Sequence, residues 1–236
     1  MSILSLAIPS KGRLKEKTED WFREQGFPIR QIGGERGYQA EIDGLGEVDM
    51  RLLSAREIAQ GLIDGTIHAG VTGEDLLQDL SPTGDAEFRV AERLGFGGAD
   101  VIVAVPQAWL DVDTMSDLEA AGAAFRKAHH RRLRVATKYM RLTRRFFAAK
   151  SVGEYRLAES AGATEAAPAT GAADVIVDIT STGATLKANG LKVLSDGVIL
   201  KSQAVLAVST GAEWTPQALN SLSLLRSAAK ILDQIC

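Results

Sequence analysis

Cysteine is nearly absent: Cys236 is the only one, and it is the last of 236 residues. An internal disulfide and a cysteine-built metal cluster are therefore excluded, and a reducing compartment suits the chain. Long apolar runs are missing too. No stretch approaches the roughly twenty apolar residues of a membrane span. The apolar start, Ile3 to Ile8, is too short for the h-region of an export signal, and Lys11 and Arg13 follow it where such a signal has basic residues in front. Charge of one sign is not in excess. With 27 Lys and Arg against 30 Asp and Glu the formal net charge is −3, which gives no electrostatic reason to expect nucleic acid or a membrane as partner. His129 and His130 stand side by side, but a pair without a third ligand is weak ground for zinc, and His68 sits in an apolar run as a core residue would. No metal site is expected in the protein alone. The expectation is a cytoplasmic globular protein.

What the chain does have is alternation. Hydrophobic residues make up 45% and charged residues 24%, ordinary values for a globular domain of this length. Short apolar runs (ILSLAI, HAGVTG, ADVIVAVP, LRVATKY, AVLAVS) are followed by stretches of helical period. The first helix is expected from Leu14, with Leu14, Thr18, Trp21 and Phe22 on one face and Gly26 as its stop. Ser54 to Glu57 is an S-x-x-E capping box. Ser116 to Ala128 reads as a helix inside a long connection. Thr215-Pro216 opens a last helix with Ala218, Leu222, Leu225, Ala229 and Leu232 on one stripe. Strand–helix alternation of this kind predicts parallel α/β sheets, and the glycine cluster at residues 95–100 is a natural crossing between two domains.

The chemistry is concentrated in VIVDITSTGATL, residues 175–186. A buried strand runs through Asp178 into Thr180, Ser181 and Thr182, then Gly183, then Thr185. Such a turn cradles phosphate: backbone N–H groups at a helix start face the anion, and glycine allows close approach. Thr182 and Thr185 can donate side-chain hydrogen bonds. Asp178 is a poor phosphate ligand but suits sugar hydroxyls, or magnesium through water. Acid and cup together suit a phosphorylated sugar.

The pattern D-x-x-x-T-G-x-T resembles the phosphoribosyl pyrophosphate (PRPP) loop of phosphoribosyltransferases. With one acid where the purine-salvage type has two, and with IPSKGRL, GVTGEDLL, ERLGFG, LRVATKY and ADVIVDITSTGATLKANGL in order, the chain resembles the ATP phosphoribosyltransferases of histidine biosynthesis along nearly its whole length. Its length is similar to the family's short form. The resemblance implies two α/β domains like those of periplasmic binding proteins of type II, with a ligand cleft between them. Domain I is expected at residues 1–98 plus 201–236, and domain II, carrying the PRPP loop, at 99–200. It implies attack of N1 of the ATP adenine on C1 of PRPP, release of pyrophosphate, and magnesium as cofactor. It also implies a homodimer that joins a regulatory subunit resembling histidyl-tRNA synthetase.

By the same resemblance PRPP is held by Asp178, Thr180, Ser181, Thr182, Gly183, Ala184 and Thr185. ATP is met by Lys11, Gly12, Arg56, Gly73, Asp75, Lys138 and Glu165. Arg13 and Arg36 stabilise the departing pyrophosphate. Lys11 and Arg13 also raise a physical question, since two cations at a helix N-terminus oppose its dipole and call for a compensating anion. The chain departs from many family members in carrying Leu53 where they have arginine, and in its long segment from 106 to 132. Two other readings fit the residues: a non-catalytic small-molecule binding protein of the same two-domain fold, and a phosphoribosyltransferase acting on another base.

Overall fold

A computed structural model describes residues 3–32, 38–160 and 162–225. The chain divides into two compact units, residues 1–97 with 203–236, and residues 98–202.

In chain order the first unit contains β1 (Leu4–Pro9), α1 (Gly12–Glu24), β2 (Ile29–Ile32), β3 (Gln39–Ile42), β4 (Val48–Leu53), α2 (Ala55–Ile63), β5 (Ala69–Gly73), α3 (Glu74–Leu80) and β6 (Phe88–Arg93). The second unit follows with β7 (Ala99–Pro106), α4 (Met115–His129), β8 (Leu133–Thr137), α5 (Met140–Ala149), β9 (Tyr155–Glu159), a 3-10 turn (Thr164–Ala166), β10 (Val175–Thr180), α6 (Ala184–Ala188) and β11 (Leu191–Ser202). The chain then returns to the first unit for β12 (Ala204–Ser209) and α7 (Pro216–Ser223).

The first unit's sheet has the order β2-β3-β4-β1-β5-β12-β6, and the second unit's the order β11-β7-β10-β8-β9. The expectation of parallel sheets needs correction, because both are mixed. Only β4, β1 and β5 in the first unit run parallel, as do β10, β8 and β9 in the second. In the first unit the triplet is flanked by the antiparallel strands β3 and β12; in the second β9 is an edge, and β7 alone flanks the triplet, antiparallel to β10, with β11 antiparallel to β7 beyond it. For β2, β3 and β4 the physical reason is connectivity, since they follow one another with no helix between them; β7 and β12 are the strands on which the chain enters the second unit and returns to the first.

The local signals behave as their chemistry requires. Ser54 accepts from the Glu57 N–H while Glu57 accepts from the Ser54 N–H, so the capping box is complete. Thr215 caps α7 by accepting from the Ala218 N–H at 3.2 Å. Ala229 and Leu232, expected on the last helix, lie outside the described residues. Helix α1 begins at Gly12, two residues before the expected start.

The central strands β1 and β7 are buried on both faces, which is why they read as unbroken apolar runs. In β1, Leu4, Leu6 and Ile8 pack with Phe22 and Met50, while Ala7 faces Ile58, Leu62 and Leu77 on the other side. In β7, Val101, Val103 and Val105 pack with Leu118, Val135 and Phe147, and Ile102 and Ala104 face Ile176 and Leu186.

Candidate active site

Three parallel neighbouring strands bring their carboxyl ends to one edge of a sheet, where ligands of α/β proteins bind. In the second unit that edge collects the candidate residues. Lys138 follows β8, Glu165 sits in the 3-10 turn after β9, and residues 178–185 end β10. Asp178, Ile179, Thr180, Ser181, Thr182, Thr185, Leu186 and Glu165 line one cavity of about 350 Å³.

The turn is built by its own hydroxyls. Thr180 Oγ1 accepts from the Gly183 N–H at 2.9 Å, and Thr182 Oγ1 accepts from the Ala184 N–H at 3.3 Å. Gly183 caps α6 at φ +72°, a conformation that side chains with a Cβ resist, and a Cβ there would meet nothing within 4 Å. Open space at that point is what a close backbone approach to a ligand needs. Ser181, Thr182, Ala184 and Thr185 are exposed.

Asp178 lies inside β10, two residues before its end. Its carboxylate accepts from the Ile179 N–H at 2.8 Å and stands 3.8 Å from Lys138 Nζ. Burial pushes its carboxyl above the ordinary value and nearby Glu165 adds to this, against the opposing pull of the Ile179 hydrogen bond and Lys138. A carboxylate held partly dry beside a second acid and a lysine is prepared for a cation or for hydroxyl donors. Among the described residues no cluster of three or more His, Cys, Asp or Glu could hold a metal ion alone. Asp178 and Glu165 nonetheless suit magnesium, which keeps most of its waters and takes one or two carboxylates alongside substrate phosphates.

In the first unit the equivalent edge follows β4, β1 and β5. Lys11, Gly12 and Arg13 come after β1, Arg56 after β4, Gly73 ends β5 and Asp75 comes just after it. Lys11 occupies the N-cap of α1 without a side-chain cap, and no acidic residue stands in the first turn. Lys11, Gly12 and Arg13 are exposed, and Gly12 has φ +71°. Among the described residues neither cation has an ion-pair partner, so none of those residues supplies the compensating anion. Arg56 is also exposed, in the first turn of α2. Gly73 is a tight fit: a Cβ there would sit 2.4 Å from Asp75 Oδ1. Asp75 is buried in the first turn of α3 beside Glu74, which Arg93 grips with two hydrogen bonds of 3.0 and 2.6 Å. Arg36 lies outside the described residues. Leu53 packs against the cluster of Ala7, Ile58 and Leu62.

The structure also assigns residues that were set aside or passed over. His68 is buried, accepts from the Ser5 N–H on Nδ1 and stands 3.0 Å from the Glu213 carbonyl on Nε2, so it is a core histidine. His130 is the left-handed C-cap of α4. Of the expected site residues, Thr180 acts on the turn through its side chain, and the Lys138–Asp178 approach joins the residue after β8 to a residue of β10 forty positions on. Only the parallel pairing of β8 with β10 places them together, and no local signal carries that.

A family model described as ATP phosphoribosyltransferase (HisG) matches residues 54–227. An ATP phosphoribosyltransferase of Rhodopseudomonas palustris (strain BisB18) is 55% identical over 230 residues, covering 98% of this chain and 69% of that protein. Among solved structures, the ATP phosphoribosyl transferase (HisG:HisZ) complex from Thermotoga maritima has a chain that matches with TM-score 0.71 and 22% identity, covering 98% of both. A histidine kinase sensor domain with similarity to periplasmic binding proteins matches with TM-score 0.51 and 12% identity over 98% of this chain and 91% of that one, a likeness of fold alone. The chain belongs to the ATP phosphoribosyltransferase family, the glycosyltransferases that open histidine biosynthesis.

Proposed function

We propose that the loop at residues 178–185 holds PRPP, that the first unit's carboxyl edge holds ATP, and that the chain's cations carry the departing pyrophosphate. The observation that carries this reading is the cavity in which a self-braced hydroxyl turn, Asp178 and Glu165 face one another. Exposed N–H groups and hydroxyls of residues 181–185 suit the 5-phosphate. Asp178 suits the ribose hydroxyls.

The family reaction joins N1 of the ATP adenine to C1 of PRPP. N1 carries no proton, so no general base is needed to create the nucleophile. The barrier lies in the departure of pyrophosphate from an oxocarbenium-like C1, and catalysis rests on positioning and on cations facing the leaving group. Arg13, exposed and without an ion-pair partner among the described residues, is suited to that task, and Arg36 is assigned to it by resemblance. Lys11, Gly12, Arg56, Gly73, Asp75, Lys138 and Glu165 are assigned to ATP. Magnesium, when bound with PRPP, neutralises phosphate charge, and Asp178 with Glu165 would hold it through water.

The regulatory subunit resembling histidyl-tRNA synthetase is proposed on the ground that the Thermotoga maritima relative is a HisG:HisZ complex. A homodimer in the absence of the partner, domain limits at 1–98 plus 201–236 and 99–200, and a cytoplasmic location complete the reading. Among the described residues no helix is long and apolar enough to cross a membrane.

The test is direct. Purified chain, ATP, PRPP and Mg²⁺ are mixed with and without the candidate partner, and phosphoribosyl-ATP is measured. Asp178→Asn and Thr182→Val are expected to weaken PRPP use with circular dichroism unchanged. Wild-type kinetics in the folded double variant would remove the loop from PRPP binding.

A further inference from the structure

The amino edge of the same three strands in the second unit carries a separate concentration of charge. Arg131, Arg132, Arg134, Tyr155 and Arg156 line a concavity of about 560 Å³. That volume falls within the roughly 300–1,000 Å³ of small-molecule sites. Arg131 and Arg132 precede β8, Arg134 lies on it, and Tyr155 and Arg156 open β9. The PRPP-loop candidates lie at the opposite, carboxyl ends of these strands.

The arginines outnumber their carboxylates. Asp174 accepts two hydrogen bonds from Arg131, at 2.6 and 2.9 Å, and one from the Arg134 N–H at 2.8 Å. Its capacity is thereby nearly filled, and Arg134 Nε stands 3.9 Å from it, too far for a hydrogen bond. Arg134 Nε is buried with no hydrogen-bond partner. Glu154 is shared by Arg126 at 2.7 Å and Arg132 at 3.4 Å. Arg156 is exposed and makes no ion pair among the described residues.

Arg134 and Arg156 are direct partners across the parallel pairing of β8 and β9. Like charges placed opposite on adjacent strands are destabilising. A protein of net charge −3 that nevertheless gathers four guanidiniums around one concavity at a strand edge, pairs two of them in register and leaves Arg156 without an ion pair among the described residues, has room and need for an anion.

We propose that this concavity is a second anion site, for a small molecule carrying a diphosphate or longer phosphate chain. The planar forks of Arg match phosphate oxygens two at a time. Tyr155 adds a phenol whose titration burial pushes above its ordinary value, against the pull of Arg144. Inorganic pyrophosphate and a nucleoside diphosphate share the chemistry and are separated by experiment.

The full chain, labelled for arginine Nε–H spectra, is titrated with inorganic pyrophosphate and separately with ADP at fixed ionic strength. Arg134 and Arg156 signals, assigned from Arg134→Gln and Arg156→Ala, are expected to shift saturably. Arg156→Ala, on the exposed strand edge, is expected to weaken that binding about tenfold. Saturation by both ligands at equal affinity assigns the site to the diphosphate alone, and tighter binding of ADP assigns it to a nucleotide. Signals that drift without saturating, or an Arg156→Ala titration superposable on wild type, would overturn the site. Arg156 leaves the core untouched, so its variant remains informative if Arg134→Gln fails to fold.

Discussion

At the scale of single residues, the groups proposed for chemistry are held at a cost to the fold. Asp178 has its carboxyl raised by burial. A group raised in the folded state adds stability only below its unfolded value, near 3.9 for Asp, and loses it as pH rises through the folded value. At pH 7 the ionised Asp178 therefore opposes folding. Asp178→Asn, which keeps an oxygen for the Ile179 N–H, should melt higher than wild type at pH 7 in chelator. The gain should disappear as pH falls below about 4. A variant melting lower at pH 7 would show that the Lys138 attraction outweighs burial. Arg13 is a different case, because it is exposed and unpaired among the described residues. If it stabilises departing pyrophosphate, Arg13→Ala should lower kcat more than it raises the KM for ATP. The loss should be about 2–4 kcal/mol, or roughly thirty- to a thousandfold. Lysine should rescue in part, since it lacks the planar fork. Pre-steady-state formation of phosphoribosyl-ATP isolates this step, and an unchanged chemical rate would leave Arg13 a binding role only.

At the scale of elements, what was legible was local. The Ser54–Glu57 box, the Thr215-Pro216 start and the hydroxyl turn at 180–185 each declare themselves within a few residues, because the hydrogen bonds that make them span three or four positions. The long β11 does not. Its Asp196-Gly197 pair has the chemistry of a turn, yet the strand continues through a register shift between Val193 and Val198. Gly197 is needed because a Cβ would sit 2.9 Å from Leu194 Cβ and 3.2 Å from the Val103 carbonyl, and Asp196 is spent on the Met115 N–H and Lys150. The same non-locality hid the antiparallel flanks and the Arg134–Arg156 pairing. Two glycines, one proposed for PRPP in the second unit and one proposed for ATP in the first, separate the kinds of constraint. Gly183→Ala meets no atom and should cost about 1–2 kcal/mol through its left-handed φ alone. Gly73→Ala instead must displace Asp75, so it should impair ATP use beyond any loss of stability. Chemical denaturation set beside ATP affinity distinguishes the two, and equal effects in both assays would refute the distinction.

At the scale of the whole molecule, each unit carries its own core. Phe22 and Met50 belong to the first unit's clusters, and Phe147 and Leu118 to the second's. A chain with two cores need not unfold in one step. The tryptophans report on them separately, since Trp21 and Trp214 pack against the first core and Trp109 against the second. Phe147 is fully buried, with its ring 4.7 Å from that of Tyr155. Phe147→Ala removes a large side chain that close packing cannot replace, at a cost of about 3–5 kcal/mol. The loss falls on the second unit, because every cluster partner of Phe147 lies between residues 98 and 202. Fluorescence of a variant retaining only Trp109 should then show its denaturation midpoint fall sharply. A variant retaining only Trp21 and Trp214 should unfold near its original midpoint. Coincident midpoints in both backgrounds would mean that the units unfold as one cooperative body and that the second core also supports the first. The loop proposed to hold PRPP rides on that second core through β10, whose Val175 and Val177 share its cluster with Phe147. PRPP affinity should therefore decline along the Trp109 transition and not along the other.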